Sequence, residues 1–265
     1  MSTSILYTSS SGSLHNPAVL RDGRLIVCDS ESSSIIHISE DASNEIVSTG
    51  GCCTSACQST DGKIFITDKE HNGLLFLSDD LQIVSSHYNE IPFHGPHQVV
   101  SFQSELFFTD PGHPGTTSLL DPKGSLFMLD ERTRLLKPIA YQSLAFPSSI
   151  TITPNGNVMY LCESSSNRIL RFVRNVGDVW IPSVFHQLNG RVGPFGIDVD
   201  QEGNIYVGLC ESEIVGGVGG RVVKLNNKGE EIGGVELEFS EVTGLCLFQE
   251  SVIVSSRKTV YSINM

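Results

Sequence analysis

The sequence predicts an all-β fold, a six-bladed β-propeller with four strands in each blade. A polar turn followed by a short apolar strand recurs in RDGRLIVCDS, TDGKIFITDK, FQSELFFTDP, PNGNVMYLCES, QEGNIYVGLC and QESVIVSSRK. Intervals of 39, 42, 53, 46 and 47 residues separate the equivalent positions Ile26, Phe65, Phe107, Tyr160, Tyr206 and Ile253. These are the lengths of propeller blades. The turns between strands lack the 3.6-residue period that helical crossovers of a parallel sheet need, and the single Trp180 argues against blades of the Trp-Asp type.

The other strands of each unit follow in a constant order. A third strand is predicted in SIIHIS (34–39), GLLFLS (73–78), GSLFML (124–129), RILRFV (168–173), RVVKL (221–225) and TVYSIN (259–264). A fourth is predicted in EIVST (45–49), QIVSSHY (82–88), KPIAYQ (137–142), SVFHQL (183–188) and GVELEF (234–239). The sixth unit lacks a fourth strand, so we expect residues 4–10, SILYTSS, to supply it and to bury Ile5 and Leu6. Such closure removes open sheet edges.

Composition and charge limit the classes of function. We expect residues 1–265 to form one domain, because propellers of this length fold as single units. The net charge of −13 repels phosphate backbones, so a nucleic-acid partner is not expected. We expect no secretory signal, no membrane segment and a cytoplasmic location, since no apolar run is long enough. The seven cysteines are expected to be reduced, and most of them to be small buried apolar residues.

Six positions at the entrances of the innermost strands should form a ring at the mouth of the central channel. Counting back eleven residues from Ile26, Phe65 and Tyr206 gives His15, Thr54 and Phe195. The other blades, with turns one residue shorter or longer, give His97, Ser148 and Thr243. These side chains are the candidates for contact with a small ligand.

Three segments carry a resemblance to a known superfamily. LAFPSSITITPNGNVMYLCESSSNRILRF (144–172), GPFGIDVDQEGNIYVGL (193–209) and GGRVVKLNNKGE (219–230) resemble the senescence-marker-protein/gluconolactonase/luciferin-regenerating family and the related strictosidine-synthase-like propellers. The architecture is similar over nearly all blades, and the specific motifs are concentrated in residues 95–256. The resemblance implies a six-bladed propeller and a hydrolase that acts on a lactone or ester at the channel mouth.

In the lactonase family a divalent cation at the mouth is held by one glutamate and by asparagine and aspartate residues. The positions that match these ligands are occupied here by His15, His97, Ser148 and Phe195. A ring of these residues with Thr54 and Thr243 offers no carboxylate, whereas calcium prefers six to eight hard oxygen ligands. We therefore expect no cofactor and disfavour a divalent metal; Asn16 would be a ligand only if the register were shifted by one residue.

Strictosidine-synthase-like enzymes use a glutamate of the sixth blade. The matching position here is closest to Thr243, and Glu241 lies two residues away on the same side of the strand. Glu241 is therefore a further candidate for ligand contact.

The long connection DPGHPGTTSLLDPKG (110–124) is expected to fold over one face as a rim or lid. His113 and Thr116 are its polar candidates for contact with a ligand.

The two histidines of the ring allow three interpretations. One of His97 and His15 could act as a general base that deprotonates water in lactone hydrolysis. The pair could instead hold a borderline metal such as zinc together with Asp110 or His113. In the third interpretation both histidines only line a water-filled channel and bond to nearby backbone.

Two functions from different classes follow. The first is a lactone or ester hydrolase with His97 or His15 in place of the family metal. The second is a non-catalytic propeller, similar to NHL-repeat proteins, that binds a small ligand or a protein partner.

Four carboxylates each end a second strand before a polar loop, namely Asp29, Asp68, Asp110 and Glu163. They are expected to fix those loops through backbone N–H groups.

Overall fold

Six four-stranded antiparallel sheets form the blades of a propeller ring, which confirms the predicted fold class. The structure is a computed structural model that describes residues 3–10, 12–39, 45–78, 81–112, 115–189, 192–211 and 219–265. Apart from a 3₁₀ turn at Ser164–Ser166, these residues form strands, turns and loops. None of the described segments contains a helix long and apolar enough to cross a bilayer.

The strands follow each other from the channel outward in five of the blades. The first two blades contain β2 (Leu14–Val19), β3 (Leu25–Asp29), β4 (Ser34–Ile38) and β5 (Glu45–Ser48), then β6 (Cys53–Gln58), β7 (Ile64–Asp68), β8 (Gly73–Leu77) and β9 (Gln82–Ser85). A small hairpin of β10 (His87–Tyr88) and β11 (Ile91–Pro92), which the sequence did not predict, leads to blade three.

The third to fifth blades repeat this order. They contain β12 (Val99–Phe102), β13 (Glu105–Asp110), β14 (Gly124–Asp130) and β15 (Leu136–Leu144), then β16 (Pro147–Ile152), β17 (Val158–Glu163), β18 (Arg168–Asn175) and β19 (Val179–Gln187), then β20 (Gly193–Val199), β21 (Ile205–Cys210), β22 (Arg221–Leu225) and β23 (Glu231–Glu236). The six positions from which the blade lengths were counted all lie in the second strand of their blade.

The sixth blade is completed by the other end of the described chain. It contains β24 (Gly244–Phe248), β25 (Ser251–Ser255) and β26 (Thr259–Asn264), with β1 (Thr3–Thr8) as its outermost strand. β1 pairs with β26 from Thr3 opposite Ile263 to Thr8 opposite Thr259. The predicted ring closure is confirmed.

The expected burial of Ile5 and Leu6 is wrong. Ile5 is 64% exposed and Leu6 36% exposed, because β1 is an outer strand and no further blade covers these side chains. Tyr7 is the residue of β1 that packs against the apolar cluster between blades six and one. The closure is therefore stabilised mainly by the β1–β26 ladder and by Tyr7.

The apolar core is divided into six clusters, and each cluster fills one seam between neighbouring blades. Side chains of one strand alternate between two seams, as strand geometry requires. Leu25 and Val27 face blade six, while Ile26 and Cys28 face blade two. This two-sided burial explains why the second strands are runs of apolar residues without polar alternation. Four of the seven free cysteines, Cys28, Cys53, Cys162 and Cys246, are fully buried members of these clusters.

Two glycines let the inner strands of blades five, six and one approach each other at the axis. A Cβ atom added to Gly196 would lie 2.6 Å from the backbone nitrogen of Leu245. One added to Gly244 would lie 2.5 Å from Cα of Asn16. Any larger residue at these positions would force the inner strands apart.

Removal of residues 1–10 is expected to lower Tm by about 10 °C, because about five ladder hydrogen bonds at roughly 1 kcal/mol each are lost. The measurement is thermal unfolding followed by circular dichroism. As a control, Ile5→Ser should change Tm by no more than about 2 °C, since an exposed side chain contributes little. A truncated chain that melts together with the full chain would contradict the closure.

Candidate functional site

A cavity of about 320 Å³ opens where the inner strands enter the channel. Its walls come from all six blades, from their inner strands, from the segments that precede these strands, and from the ends of second strands and the loops that follow them. They consist of Ser13, His15, Lys69, His97, Phe146, Phe195, Cys210, Glu241, Val242, Thr243 and Arg257. We call this space the mouth cavity.

β-Bulges at the strand entrances determine which side chains reach the channel. The ladder is interrupted between Cys53 and Ser55 in β6, between Pro147 and Ser149 in β16, and between Pro194 and Gly196 in β20. Thr54, Ser148 and Phe195 are thus the extra, unpaired residues. β2 has a similar interruption between His15 and Ala18. A bulge bends its strand and changes the direction of the side chain, so the eleven-residue count located a real structural repeat.

Hydrogen bonds between these entrances link the blades around the axis. The Asn16 N–H donates to the Thr243 carbonyl (3.4 Å), Asn16 Nδ2 to the Thr54 carbonyl (2.9 Å), Thr54 Oγ1 to the Pro96 carbonyl (3.0 Å), His97 Nδ1 to the Ser148 carbonyl (2.7 Å) and Ser148 Oγ to the Pro194 carbonyl (3.0 Å). These bonds link the strand entrance of blade six to blade one and continue through blades two, three and four to blade five. His15 and Phe195 are held through their chain neighbours Asn16 and Pro194.

The structure brings five of the predicted candidates to the mouth cavity and keeps two away from it. His15, His97, Phe195, Thr243 and Glu241 line the cavity. The predicted ligand contacts of Thr54 and Ser148 are not supported, because both residues are completely buried and their hydroxyls bond to backbone carbonyls of the next blade. His113 lies outside the described residues.

His97 has a fixed orientation and a neutral ring. It is 5% exposed, and its Nδ1–H donates to the Ser148 carbonyl, which can only accept. In the neutral ring this leaves Nε2 with a lone pair, and no described group bonds to it. Burial is the largest cause that lowers the pKa of His97 well below its usual value, and the charges of Lys69 and His15 lower it further.

His15 complements His97. The two rings meet edge to face with centroids 6.1 Å apart. Ser30 Oγ donates to Ser13 Oγ (2.9 Å), so the Ser13 hydroxyl proton is free to donate to His15 Nε2 at 3.1 Å. The neutral His15 ring then carries its proton on Nδ1. Burial and, less strongly, Lys69 lower the pKa of His15 to about 4, although Asp29 opposes the shift. One ring offers a lone pair, and the other offers an N–H.

The sequence analysis missed the two cations of the mouth cavity, Lys69 and Arg257. Each follows the second strand of its blade, in the polar loop after β7 and after β25 respectively. The predicted ring consists of residues at the inner-strand entrances, and the carboxylates that begin these loops were expected to have a structural role. A shared repeat position was the available signal, since Lys69 and Arg257 occupy the same loop of blades two and six.

The four carboxylates at the ends of second strands have the predicted structural role. Asp29 accepts the N–H groups of Glu31 and Ser32. Asp68 accepts the N–H of His71, Asp110 that of His94 and Glu163 that of Ala145. Asp110 therefore anchors the segment that leads into blade three. Within the described ranges, no three His, Cys, Asp or Glu side chains lie close enough together to hold a metal ion.

The predicted lid is not observed over the mouth cavity in the described part of the chain. None of the described residues of 110–124 lines that cavity, and Thr116 is not part of its wall. A hydrogen bond from the Lys123 N–H to Thr117 Oγ1 and a Lys123–Asp121 ion pair hold this segment together locally.

A second cavity, of about 220 Å³, lies at the opposite ends of the inner strands. Its carboxylate, Asp198, accepts bonds from the Leu247 N–H, the Val199 N–H and Thr151 Oγ1. Burial raises the pKa of Asp198. Because the Asp198 oxygens already accept hydrogen bonds, this end of the channel has fewer polar groups available to a ligand than the mouth cavity.

The fold and the site define a six-bladed propeller with a small polar cavity at one mouth of its channel. The family model described as SMP-30/Gluconolactonase/LRE-like region matches residues 17–255. The chain belongs to this family. No curated protein matches the sequence at significant similarity.

Solved structures share this fold at low sequence identity. A gluconolactonase from Xanthomonas campestris is similar with a TM-score of 0.81 and 14% identity, over 98% of this chain and 88% of that one. The calcium-binding protein regucalcin from Agrobacterium tumefaciens also gives 0.81, with 15% identity over 98% and 92% of the two chains. Virginiamycin B lyase from Staphylococcus aureus is less similar, with a TM-score of 0.66 and 12% identity over 100% and 99%.

The low pKa of His15 predicts a loss of stability in mild acid. The unfolded chain takes up a proton near pH 6.5, but folded His15 does so only at about pH 4. Its contribution is therefore complete above pH 6.5 and decreases as the pH falls toward 4. Between pH 7 and 5 the free energy of unfolding should fall by about 1–2 kcal/mol more in the wild type than in His15→Gln.

Urea unfolding at the two pH values measures this difference. The exposed residue His87 provides a control, and His87→Gln should keep the wild-type dependence on pH. An equal loss of stability in wild type and His15→Gln would show that His15 does not resist protonation in the folded state.

Proposed function

We propose that this protein hydrolyses a small lactone or ester in the mouth cavity, with His97 as the general base. The observation that carries the proposal is the ring of His97, which is held by its Nδ1–H, has an unprotonated Nε2 when neutral, and belongs to the wall of the mouth cavity. Family membership supports the reaction class, and one structural neighbour is named a gluconolactonase.

The two histidines suit the two halves of the reaction. His97 Nε2 takes a proton from a water molecule as the water oxygen bonds to the carbonyl carbon, and the carbonyl π electrons move to its oxygen. His15 Nδ1–H donates a hydrogen bond to that oxyanion, which is the role of a preorganised donor. When the electrons return, the carbon–oxygen bond of the ester breaks, and His97 gives its proton to the departing alkoxide.

The family's divalent cation does not fit the residues of the mouth cavity. Among the described residues Glu241 is the single carboxylate of its walls, and Lys69 and Arg257 bring positive charge to the same walls. Calcium and magnesium need several hard oxygen ligands, and neighbouring cations oppose their binding. Asn16 Oδ1 is a buried acceptor without a partner, but Asn16 does not line the cavity. We therefore propose that hydrolysis proceeds without the family metal.

The second candidate is a non-catalytic propeller that binds a small ligand or a protein partner. Its support is the low pKa of both histidines, since a base with a pKa far below neutral takes up a proton weakly. The burial of the Thr54 and Ser148 hydroxyls also leaves fewer reactive groups at the mouth cavity. In this case the same walls would bind a ligand without turnover.

Turnover of a panel of lactones and aryl esters tests the hydrolase. We expect His97→Gln to lower kcat by about 10²-fold or more, because general-base catalysis of that size is lost. His87→Gln is the matched control and should keep the wild-type rate. Tm of each variant should be measured, so that unfolding is not mistaken for loss of the base. A His97→Gln variant with wild-type kcat would exclude His97 as the base.

Removal and addition of metals test the proposed independence from a cation. Turnover should not change in excess EDTA, and calcium, magnesium, manganese or zinc should shift Tm of the chelated protein by less than about 1 °C, because only a ligand that binds the folded state raises it. A rise in Tm with one metal, together with activity that EDTA abolishes, would contradict the proposal.

A further inference from the structure

Two positively charged side chains without counterions border the mouth cavity of an acidic protein. The chain has 17 Lys plus Arg and 30 Asp plus Glu. In the described structure some basic side chains pair with carboxylates, as in Arg24 with Asp22 and Arg174 with Glu105, while others have none within ion-pair distance. Within the same described ranges neither Lys69 nor Arg257 forms an ion pair. Both are exposed enough to meet a ligand that enters the cavity.

The charges of the cavity walls do not balance. With His15 and His97 neutral, Lys69 and Arg257 are opposed by Glu241, the single carboxylate that the described residues bring to the cavity wall. Glu241 is not within ion-pair distance of either cation. One positive charge remains in excess, which matches a monoanion such as a carboxylate better than a dianion.

The position of Lys69 is unfavourable for a cation without an anionic partner. Protein atoms crowd around it, and this desolvation is the main cause that lowers the pKa of Lys69, although part of the residue remains open to solvent. The charge of Lys69 also lowers the pKa of both His15 and His97, so its electrostatic effect reaches the histidines in the cavity wall. An anion bound there would offset the cost of desolvation.

An aromatic wall faces these charges. The rings of Phe146 and Phe195 lie 6.1 Å apart at 55°, and both line the mouth cavity together with Val242. Phe146 has φ of +59°, which is a strained backbone conformation that is rare for a bulky side chain. Such strain is concentrated at ligand sites. The volume of about 320 Å³ is at the lower end of ligand pockets, so the ligand is small.

We infer that the mouth cavity is a binding site for a small organic monoanion, with its carboxylate held by Lys69 and Arg257 and its apolar part against Phe146 and Phe195. The guanidinium of Arg257 offers a planar pair of donors for the two carboxylate oxygens, and the Lys69 ammonium adds a point charge. The inference that substrates are carboxylate-bearing lactones or esters rests on the proposed function. Binding of the anion does not require turnover.

Titration calorimetry with benzoate and benzamide tests the anion site in the intact protein. The two probes have the same shape, and only benzoate is charged. We expect benzoate to bind at least about 10-fold more tightly than benzamide and to lose affinity as salt is added. Lys69→Met and Arg257→Met should each weaken benzoate binding by about 10-fold or more. Lys228→Met, an exposed lysine outside the cavity, should bind benzoate as the wild type does.

Several results would overturn the inference. These are equal affinity for benzamide and benzoate, wild-type affinity in both cavity variants, inorganic phosphate bound more tightly than benzoate, or no benzoate binding up to about 10 mM. Failure of the proposed function looks different. Charge-dependent benzoate binding without hydrolysis of any carboxylate lactone supports the anion site and removes the hydrolase, whereas turnover of neutral lactones without benzoate binding keeps the hydrolase and removes the anion site.

Discussion

Burial of every blade on both of its faces is the constraint on which the rest of the structure depends. Each of the six apolar clusters is shared by two neighbouring blades, so no blade completes its own core. Such a ring is stable only when it is closed, and the β1–β26 ladder closes it. Closure fixes the distances across the axis and thereby holds six strand entrances in one ring. The mouth cavity is a consequence of that geometry.

The ring has the architecture of its family, and the residues at its strand entrances determine the chemistry of its mouth. Gly196 and Gly244 let inner strands approach closely, and bulges leave Thr54, Ser148 and Phe195 unpaired at the entrances. At two of these bulges the polar side chain donates a hydrogen bond to a backbone carbonyl of the next blade. At the third, an aromatic ring enters the cavity. Positive charge from Lys69 then favours neutral histidines, and in the proposed anion site Lys69 acts together with Arg257. The scaffold and the chemistry of the site therefore vary independently.

The fold was predictable because its signal is repeated six times. Blade lengths, strand order and closure all followed from a period in apolar residues, and counts of about eleven residues located the ring. Burial of Ile5 and Leu6 was predicted wrongly because apolar side chains on an outermost strand stay exposed when no neighbouring blade covers them. Whether Thr54 and Ser148 face the cavity depends on hydrogen bonds across a seam to Pro96 and Pro194. Those bonds join residues that are far apart in sequence, so no local sequence pattern predicts them.

The cations were missed for a similar reason. Lys69 and Arg257 belong to loops on blades two and six, and their distance from the axis is set by ring curvature. A prediction based on the inner strands alone finds the histidines. It does not find Lys69, the loop residue whose charge contributes to keeping them neutral. The pKa values of His15 and His97 are therefore properties of the closed ring.

A crystal structure of the protein grown with calcium and a bromine-labelled benzoate would show whether the mouth cavity binds an organic anion or a calcium ion, because anomalous scattering distinguishes the two by element. We predict bromine in the mouth cavity, the carboxylate against Lys69 and Arg257, and no calcium within the ring. Calcium bound at the entrances near His15 and His97, with the benzoate absent, would contradict it.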